Sequence, residues 1–146
     1  MVRPARADEL EDVIRLYEWL FEPPGTRPAV WDERRAAVAL RQAMESRDSL
    51  VLVGELDGEL LGFCTAYFTI HSVRFGYRAW VEELAVHPAQ RSRGLGKRLL
   101  DAAKAWARER GATHLKLDSS TARGDAHRFY EREHPTIRSY SFGWEL

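Results

Sequence analysis

Two glycines flanked by basic side chains form the part of this sequence that is best suited to bind an anion. Gly94 and Gly96 lie among Arg91, Arg93 and Lys97. A glycine has no Cβ, so a ligand can approach the backbone closely there. A helical apolar pattern follows directly, and the first N–H groups of a helix lack internal partners and carry the positive end of its dipole. The segment predicts a phosphate-binding loop, unless the glycines only shape a tight strand-to-helix turn.

The spacing of these glycines differs from that of the common nucleotide-binding loops. A Walker loop requires Gly-x-x-x-x-Gly-Lys-Ser/Thr, which this segment does not contain. A Rossmann loop requires Gly-x-Gly-x-x-Gly, and Leu99 occupies the position of its third glycine. The sequence therefore predicts an anion site of another type.

Two other kinds of residue are suited to proton transfer. Glu82 and Glu83 are neighbours in a predicted strand, where alternation would place them on opposite faces, so that at most one faces a given cleft. Tyr130 lies in a predicted helix, and a phenol with a pKa of about 10 is protonated at neutral pH and can donate its proton. The ordinary alternatives are strand-end carboxylates in solvent and a Phe129-Tyr130 pair within the core.

The elements that must position these residues follow from apolar periodicity and turn signals. Asp8 is a good helix N-cap with Glu11 as its capping-box partner, and Asp57-Gly58 between two apolar runs predicts a hairpin. The predicted helices span residues 8–21, 31–45, 94–110 and 124–133, and the predicted strands after an opening one span 49–55, 59–68, 79–86, 114–118 and 136–144. The order β-α-α-β-β-β-α-β-α-β indicates one α/β domain.

Composition excludes several classes of function. The 146 residues include 22 basic and 22 acidic ones, and zero net charge gives no reason to expect nucleic acid or an anionic membrane as a partner. No apolar run reaches the roughly 18 residues of a membrane helix, and the start lacks a signal-peptide core, which predicts a cytoplasmic protein. Cys64 is the single cysteine and is predicted to be a small buried residue. No Cys/His cluster has the spacing of a metal site.

The segment Arg91-x-x-Gly94-x-Gly96 follows a Leu-x-Val strand end and a His-Pro step, and a long helix and Phe129-Tyr130 come after it. This pattern resembles the pyrophosphate-binding motif of the GNAT superfamily, the acyl-CoA-dependent N-acyltransferases, and the resemblance covers most of the chain. It implies a single GNAT domain over residues 1–146, an α/β (α+β) fold with a mixed, mostly antiparallel sheet flanked by helices. It also implies acetyl-CoA as co-substrate, bound where the strands that begin at 79 and 114 run parallel and splay apart.

The resemblance implies cofactor contacts residue by residue. The pantetheine arm would pair with the strand backbone of Leu84, Ala85 and Val86. The pyrophosphate would lie on the backbone of Arg91, Ser92, Arg93, Gly94, Leu95 and Gly96, with Arg93 and Lys97 as candidates for charged side-chain contacts. Arg123 stands where family members often have Asn, and it is interpreted as a phosphate contact in place of the amide.

The resemblance also implies catalytic roles for two residues. Tyr130 matches the family position whose hydroxyl protonates the leaving thiolate. Glu82 is the predicted general base for the incoming ammonium, directly or through water, with Glu83 as the alternative. The family usually has Gly and an aromatic residue after the last helix, whereas this chain has Glu133-His134-Pro135, which leaves the acceptor-side wall undefined.

The activity implied is transfer of an acetyl group from acetyl-CoA to the primary amine of a small molecule, by direct attack in a ternary complex. The resemblance places the first helix on the acceptor side, and the six acids against three arginines in the first 22 residues then slightly favour a cationic acceptor. The open alternatives are a protein N-terminal or lysine acetyltransferase and a non-catalytic CoA-binding regulatory module. A homodimer is compatible with the family, no metal is expected, and 19 arginines against three lysines are typical of a GC-rich bacterial genome.

Overall fold

A computed structural model describes residues 1–69 and 72–146 of the chain. One five-stranded sheet in the order β1-β2-β3-β4-β5 runs through its centre. The strands are β1 (Val2–Pro4), β2 (Ser49–Leu56), β3 (Glu59–Phe68), β4 (Arg78–Val86) and β5 (His114–Leu117). The first four are antiparallel to their neighbours and β4 is parallel to β5, which confirms the predicted mixed, mostly antiparallel sheet.

Helices cover both faces of this sheet. They are α1 (Leu10–Leu16), α2 (Glu18–Phe21), α3 (Glu33–Glu45), α4 (Leu95–Glu109) and α5 (Gly124–Arg132). Helices α1 and α3 bury Val13 and Leu40 against Phe63 on one face, whereas α4 buries Leu99 against Cys64 on the other. Neighbouring side chains of β3 therefore enter opposite cores, as in a strand that is covered on both sides. None of the described helices has the length and apolar character needed to cross a lipid bilayer.

The β2–β3 hairpin forms as the sequence predicts. Asp57 and Gly58 connect the strands with φ angles of 52° and 83°. A type I′ turn requires such left-handed values at both of its central positions. The turn leads into a register in which Leu52 pairs with Cys64.

The parallel pair β4–β5 separates at its carboxyl ends, as predicted. Cα partners run from Arg78↔His114 to Val81↔Leu117, where β5 ends. Beyond this point β4 continues to Val86, and within the described residues β3 is the strand that remains beside it. The last residues of β4 therefore present a free backbone edge.

The N-terminal helix differs from its prediction in start and length. A 3₁₀ turn over Ala7–Glu9 precedes α1, and the carboxylate of Glu9, not that of Asp8, accepts the backbone N–H of Arg6 at 2.7 Å. Hydrogen bonding to Arg3 lowers the pKa of Glu9 to about 2 despite its burial. An ion pair with β1 thus overrides the local capping signal, and the predicted single helix is divided into α1 and α2.

The predicted last strand over residues 136–144 is wrong. No strand follows α5 in the described chain, and the three aromatic side chains of this segment are 78–88% exposed. Period-two alternation shows which side chains would share a face, but it does not supply a partner edge. Pro135 has no N–H to give to a ladder, and a side-chain contact between Ser141 and Asp118 at 2.8 Å attaches the segment to the end of β5 instead.

Candidate active site

A cleft of about 780 Å³ opens beside the free edge of β4. Its other walls are the loop before α4, the helix α5 and the chain that follows α2. Ten of the thirteen predicted site residues line it: Leu84, Ala85, Val86, Arg91, Ser92, Gly94, Gly96, Lys97, Arg123 and Tyr130. Arg93, Leu95 and Glu82 lie outside its lining. Most of the residues assigned to the cofactor and the leaving group therefore meet in one cavity.

The loop between β4 and α4 leaves a run of backbone amides unbonded. In the described part of the chain, the N–H groups of residues 92–97 meet no acceptor, and the next one, of Arg98, donates to the carbonyl oxygen of Gly94 at 3.1 Å. Ser92 and Gly94 have φ angles of 63° and 85°, which turn the chain sharply into the helix. Free amides at a helix N-terminus, together with its dipole, can hold a diphosphate.

The two glycines contribute to this loop for different reasons. The φ of 85° at Gly94 is a conformation that other residues rarely adopt, although a Cβ there would meet no atom within 4 Å. A Cβ on Gly96 would contact Phe129 at 3.6 Å and Val86 at 3.7 Å, which are ordinary distances. Gly94 is therefore needed for the backbone, whereas Gly96 keeps space free in the cleft.

Two of the three basic side chains of the loop, those of Arg91 and Lys97, already have partners. The Nε of Arg91 donates to the carbonyl oxygen of Val86 at 3.4 Å. The ammonium of Lys97 binds Asp101 at 2.8 Å and Glu133 at 3.2 Å, and these hydrogen bonds raise its pKa. A phosphate bound at this loop would therefore depend first on the amides.

Arg93 and Leu95 are the two loop residues of the prediction that do not line the cleft. The side chain of Leu95 lies so close to Gly54 that an added Cβ there would approach it to 2.6 Å. Leu95 therefore packs into the sheet and could serve a ligand only through its backbone. Arg93 is exposed, and the phosphate contact assigned to it stays a prediction.

Tyr130 lies on α5 and lines the cleft. The sequence left open whether it is a core aromatic residue or a candidate proton donor, and its position is compatible with both. Its ring lies 5.1 Å from that of Phe129 and packs at the border of the core beneath α4. Burial raises the pKa of Tyr130 to about 12, and Cys64 acts in the same direction, while the charge of Arg123 opposes them. The hydroxyl is therefore protonated at neutral pH in a cavity shared with the edge of β4, as a proton donor must be.

Glu82 and Glu83 lie on the same face of the sheet, contrary to the prediction from alternation. The β3–β4 register pairs Thr65 with Glu83 and then shifts, so Glu82 is the extra residue of a β-bulge. The hydroxyl of Tyr67 donates to Glu82 at 3.3 Å, and the hydroxyl of Thr65 donates to Glu83. Thr65 and Tyr67 are two residues apart in β3 and share a face, so both carboxylates lie on it.

Glu83 is the centre of a partly buried polar contact that the sequence analysis does not identify. The oxygen of Thr65 that donates to its carboxylate also accepts its backbone N–H at 3.1 Å, and the hydroxyl of Tyr17 bonds the same carboxylate. Burial raises the pKa of Glu83, and the charge of Glu82 adds to this, while the two hydroxyls oppose it. A polar Thr65 inside an apolar run is the one signal that the sequence offers.

Arg123 lines the cleft, but its guanidinium is engaged on the protein. Its Nη2 donates to the carbonyl oxygen of Leu20 at 3.0 Å, across 103 residues of chain. Local patterns carry no information about a contact at this separation. The predicted phosphate contact of Arg123 stays a prediction.

The acids near the N-terminus are largely neutralised by ion pairs. Four of the six pair with arginines: Asp8 with Arg6, Glu9 with Arg3 and Arg6, Asp12 with Arg15, and Glu18 with Arg27. Among the described residues, no basic side chain forms an ion pair with Glu82 or Glu83. Glu11 and Glu22 likewise form no ion pair within the described chain, and Glu22 lines the cleft. Unpaired negative charge therefore lies both at the bulge of β4 and next to α2.

Cys64 is fully buried, which confirms its prediction as a small core residue. Burial raises the pKa of its thiol to about 12, so the nucleophilic thiolate is scarce at neutral pH. In the part of the chain that the structure describes, no group of three His, Cys, Asp or Glu side chains is arranged to hold a metal ion.

Comparison with known proteins places this architecture in a family. The model of the acetyltransferase (GNAT) family matches residues 10–134. An uncharacterized N-acetyltransferase of Bacillus subtilis, YhfO, is 35% identical over 101 residues, which are 69% of this chain and 68% of that protein. The aminoalkylphosphonate N-acetyltransferase of Salmonella typhimurium is 35% identical over 77 residues, which are 53% of this chain and only half (50%) of that enzyme.

A solved structure shows the same fold. The aminoglycoside N-acetyltransferase AAC(6')-Iy in complex with CoA superposes with a TM-score of 0.85 at 17% identity, over 100% of this chain and 93% of that one. Because the family model also spans most of the sequence, this chain belongs to the GNAT family of acyl-CoA-dependent N-acyltransferases.

Proposed function

We propose that this protein transfers an acetyl group from acetyl-CoA to the primary amine of a small molecule, by direct attack within a ternary complex. The observation that carries the proposal is the meeting, in one cleft, of the free edge of β4, the unbonded amides before α4 and Tyr130. A free edge suits an extended arm that contains amides, unbonded amides suit a diphosphate, and a phenol suits a leaving thiolate.

In the proposed reaction the nitrogen lone pair attacks the thioester carbonyl carbon, and the C–S bond breaks as Tyr130 gives its proton to the sulfur. The nitrogen then loses the extra proton that it carries after attack, and this proton returns through solvent to the phenolate of Tyr130. Backbone N–H groups of residues 84–86 would stabilise the charge that develops on the carbonyl oxygen. An alkyl ammonium must first lose a proton, because only the neutral amine has a free lone pair. Glu82, exposed at the bulge two residues before Leu84, is the proposed acceptor of that proton, directly or through water.

Two observations support a small, positively charged amine as the acceptor. The carboxylates of Glu82 and Glu83 share one face of the sheet, and no basic side chain of the described residues is paired with either. The Salmonella relative is named for an aminoalkylphosphonate and the solved structure for an aminoglycoside, both of them small amines.

A thiol-release assay tests the proposal. The protein is mixed with acetyl-CoA and a panel of aminoalkylphosphonates, aminoglycosides and polyamines, and free CoA thiol is measured over time. Because Cys64 is buried, the protein itself adds little to the thiol signal. We expect turnover with at least one amine, and mass spectrometry should find the N-acetylated product.

The same experiment separates the rival functions. A parallel reaction supplies labelled acetyl-CoA to a cell lysate. Labelled proteins without small-amine turnover would show a protein acetyltransferase instead. CoA binding without turnover in either reaction would show a binding module, and both results would contradict the proposal.

A further inference from the structure

We propose that Arg123 is a positioning residue, which fixes the chain after α2 as a wall of the cleft and ties it to the helix that carries Tyr130. The kinetic part of this inference rests on the proposed function, whereas the contact itself can be tested without it. Arg123 directly precedes α5, and its Nη2 donates to the carbonyl oxygen of Leu20 at 3.0 Å. Both residues line the cleft.

The carbonyl of Leu20 needs a partner because of its place in the fold. It belongs to α2, which has only four residues, and the last carbonyls of a helix have no partner within the helix. The neighbouring carbonyls are used locally: the N–H of Glu22 donates to Glu18 at 3.2 Å, and the N–H of Gly25 donates to Glu22 at 2.7 Å. Arg123 satisfies the carbonyl of Leu20, as basic side chains often do at helix ends. It therefore closes a turn that the backbone alone leaves open.

Gly25 shows how tightly the guanidinium is enclosed. A Cβ at this position would lie 2.7 Å from the Nη2 of Arg123, 1.9 Å from the oxygen of Leu20 and 2.9 Å from that of Glu22. Separations this short do not occur between real atoms of these types, so any side chain at residue 25 would displace the contact. The contact of Arg123 with Leu20 therefore requires that residue 25 has no side chain.

The same guanidinium is close to the proposed proton donor. Arg123 is the residue before α5, and Tyr130 is the seventh residue of that helix, about two turns further on. The charge of Arg123 acts on the hydroxyl of Tyr130 against the effect of burial, and so favours the phenolate that remains after proton transfer. Without this contact, the wall after α2 and the helix with Tyr130 would be free to move apart. A bound amine and Tyr130 would then be less well aligned for the reaction.

Hydrogen–deuterium exchange tests the contact itself. The peptide that covers residues 18–25 is followed in the wild type and in Arg123→Ala, Arg123→Lys, Gly25→Ala and the control Arg128→Ala. Arg128 is a matched control because it also lines the cleft but pairs with Asp125. We expect exchange about tenfold faster in Arg123→Ala and Gly25→Ala, the factor for one lost charge-assisted hydrogen bond. Arg123→Lys should recover part of the protection, and Arg128→Ala should match the wild type.

Steady-state kinetics separates positioning from a phosphate contact. For Arg123→Ala we expect kcat to fall about tenfold, while the KM for acetyl-CoA changes less than about twofold. A phosphate contact predicts the opposite, a raised KM for acetyl-CoA with kcat nearly unchanged, and that result would overturn the inference. Unchanged exchange of residues 18–25 in Arg123→Ala would overturn it as well. If the wild type acetylates no amine, the proposed function fails, and exchange still decides whether Arg123 holds the turn.

Discussion

The two sides of the cleft are built in different ways. The proposed cofactor side is one continuous stretch, residues 84–98, and its shape is set by backbone features: a free strand edge, a left-handed glycine and unbonded amides. The proposed acceptor side is assembled from distant segments. The contact of Arg123 with Leu20 lies in the wall of the cleft, whereas the bulge at Glu82 and the contact of Tyr17 with Glu83 lie outside its lining. A continuous backbone feature can be read as a motif, whereas an assembled wall depends on contacts particular to this chain.

The largest effect is expected at Tyr130, where the two sides meet. Tyr130→Phe keeps the packing against Phe129 and removes only the hydroxyl. General acid catalysis contributes about 10²–10⁴-fold, so we expect kcat to fall roughly 100-fold or more, with the KM for acetyl-CoA nearly unchanged. Thiol release at varied acetyl-CoA measures both constants.

Thermal unfolding is the control for this variant, because a partly buried hydroxyl also touches the core. A similar melting temperature combined with a large loss of kcat would place the hydroxyl in the chemistry. Equal kcat in Tyr130→Phe and wild type would show that Tyr130 has no part in the mechanism. Only the proposed binding of the cofactor would then remain to be tested in this cleft.

Variants at the two glycines of the loop distinguish the effect of ligand access from the effect of backbone strain. Gly96→Val adds atoms to the cleft beyond a Cβ that would already contact Phe129 at 3.6 Å. We expect the affinity for CoA to fall about 10–100-fold with little change in stability. Gly94→Ala forces a φ of 85° on a residue with a Cβ, so its main effect should be a loss of about 1 kcal/mol of stability.

Calorimetric titration with CoA and thermal unfolding measure these two effects on the same pair of proteins. If Gly96→Val bound CoA as tightly as the wild type, the diphosphate would not lie on this loop. If Gly94→Ala were the variant with the larger loss of affinity and an unchanged melting temperature, the two roles would be reversed.

The same contrast explains what the sequence could predict. The hairpin at Asp57-Gly58, the loop at Gly94 and the burial of Cys64 depend on local conformational preference or on apolar character, and the structure agrees with the predictions for them. The face on which Glu82 lies depends on the register between two strands, where one extra residue reverses the alternation. The segment 136–144 has the alternation of a strand but no ladder partner in the described chain. A sequence pattern describes one segment, whereas the face of Glu82 and the pairing of residues 136–144 depend on the neighbouring strands.

The adjacent carboxylates at the bulge give a matched pair of variants on the acceptor side. Glu82 is exposed, whereas Glu83 is enclosed by Thr65 and Tyr17. We expect Glu82→Gln to lower kcat about tenfold near neutral pH, and Glu83→Gln to lower it less. The deficit of Glu82→Gln should shrink as the pH rises towards the pKa of the amine, about 10, because more of the substrate then arrives as the neutral nucleophile. A deficit that stays constant with pH would show that Glu82 does not take the proton.

The smallest effect concerns the dependence of stability on pH. Because burial raises the pKa of Glu83 above 4.5, the folded state holds its proton more tightly than the unfolded state does. Wild-type stability should therefore be highest below this value and fall as the pH rises through the interval above it. Glu83→Gln cannot ionise, so it should lack this part of the slope, and its melting temperature should rise relative to that of the wild type as the pH increases above 4.5.

Glu82→Gln is the control: it removes the charge of Glu82 but leaves the burial of Glu83, which is the larger cause of the raised pKa, so most of the wild-type slope should remain. Thermal melts of the three proteins across this pH range make the comparison. If Glu83→Gln kept the full wild-type slope, Glu83 would ionise on the folded protein as easily as in water. The face that it shares with Glu82 would then be open to solvent. The contact of Arg123 with Leu20 would be the one remaining contact, among the described residues, that orders the proposed acceptor side.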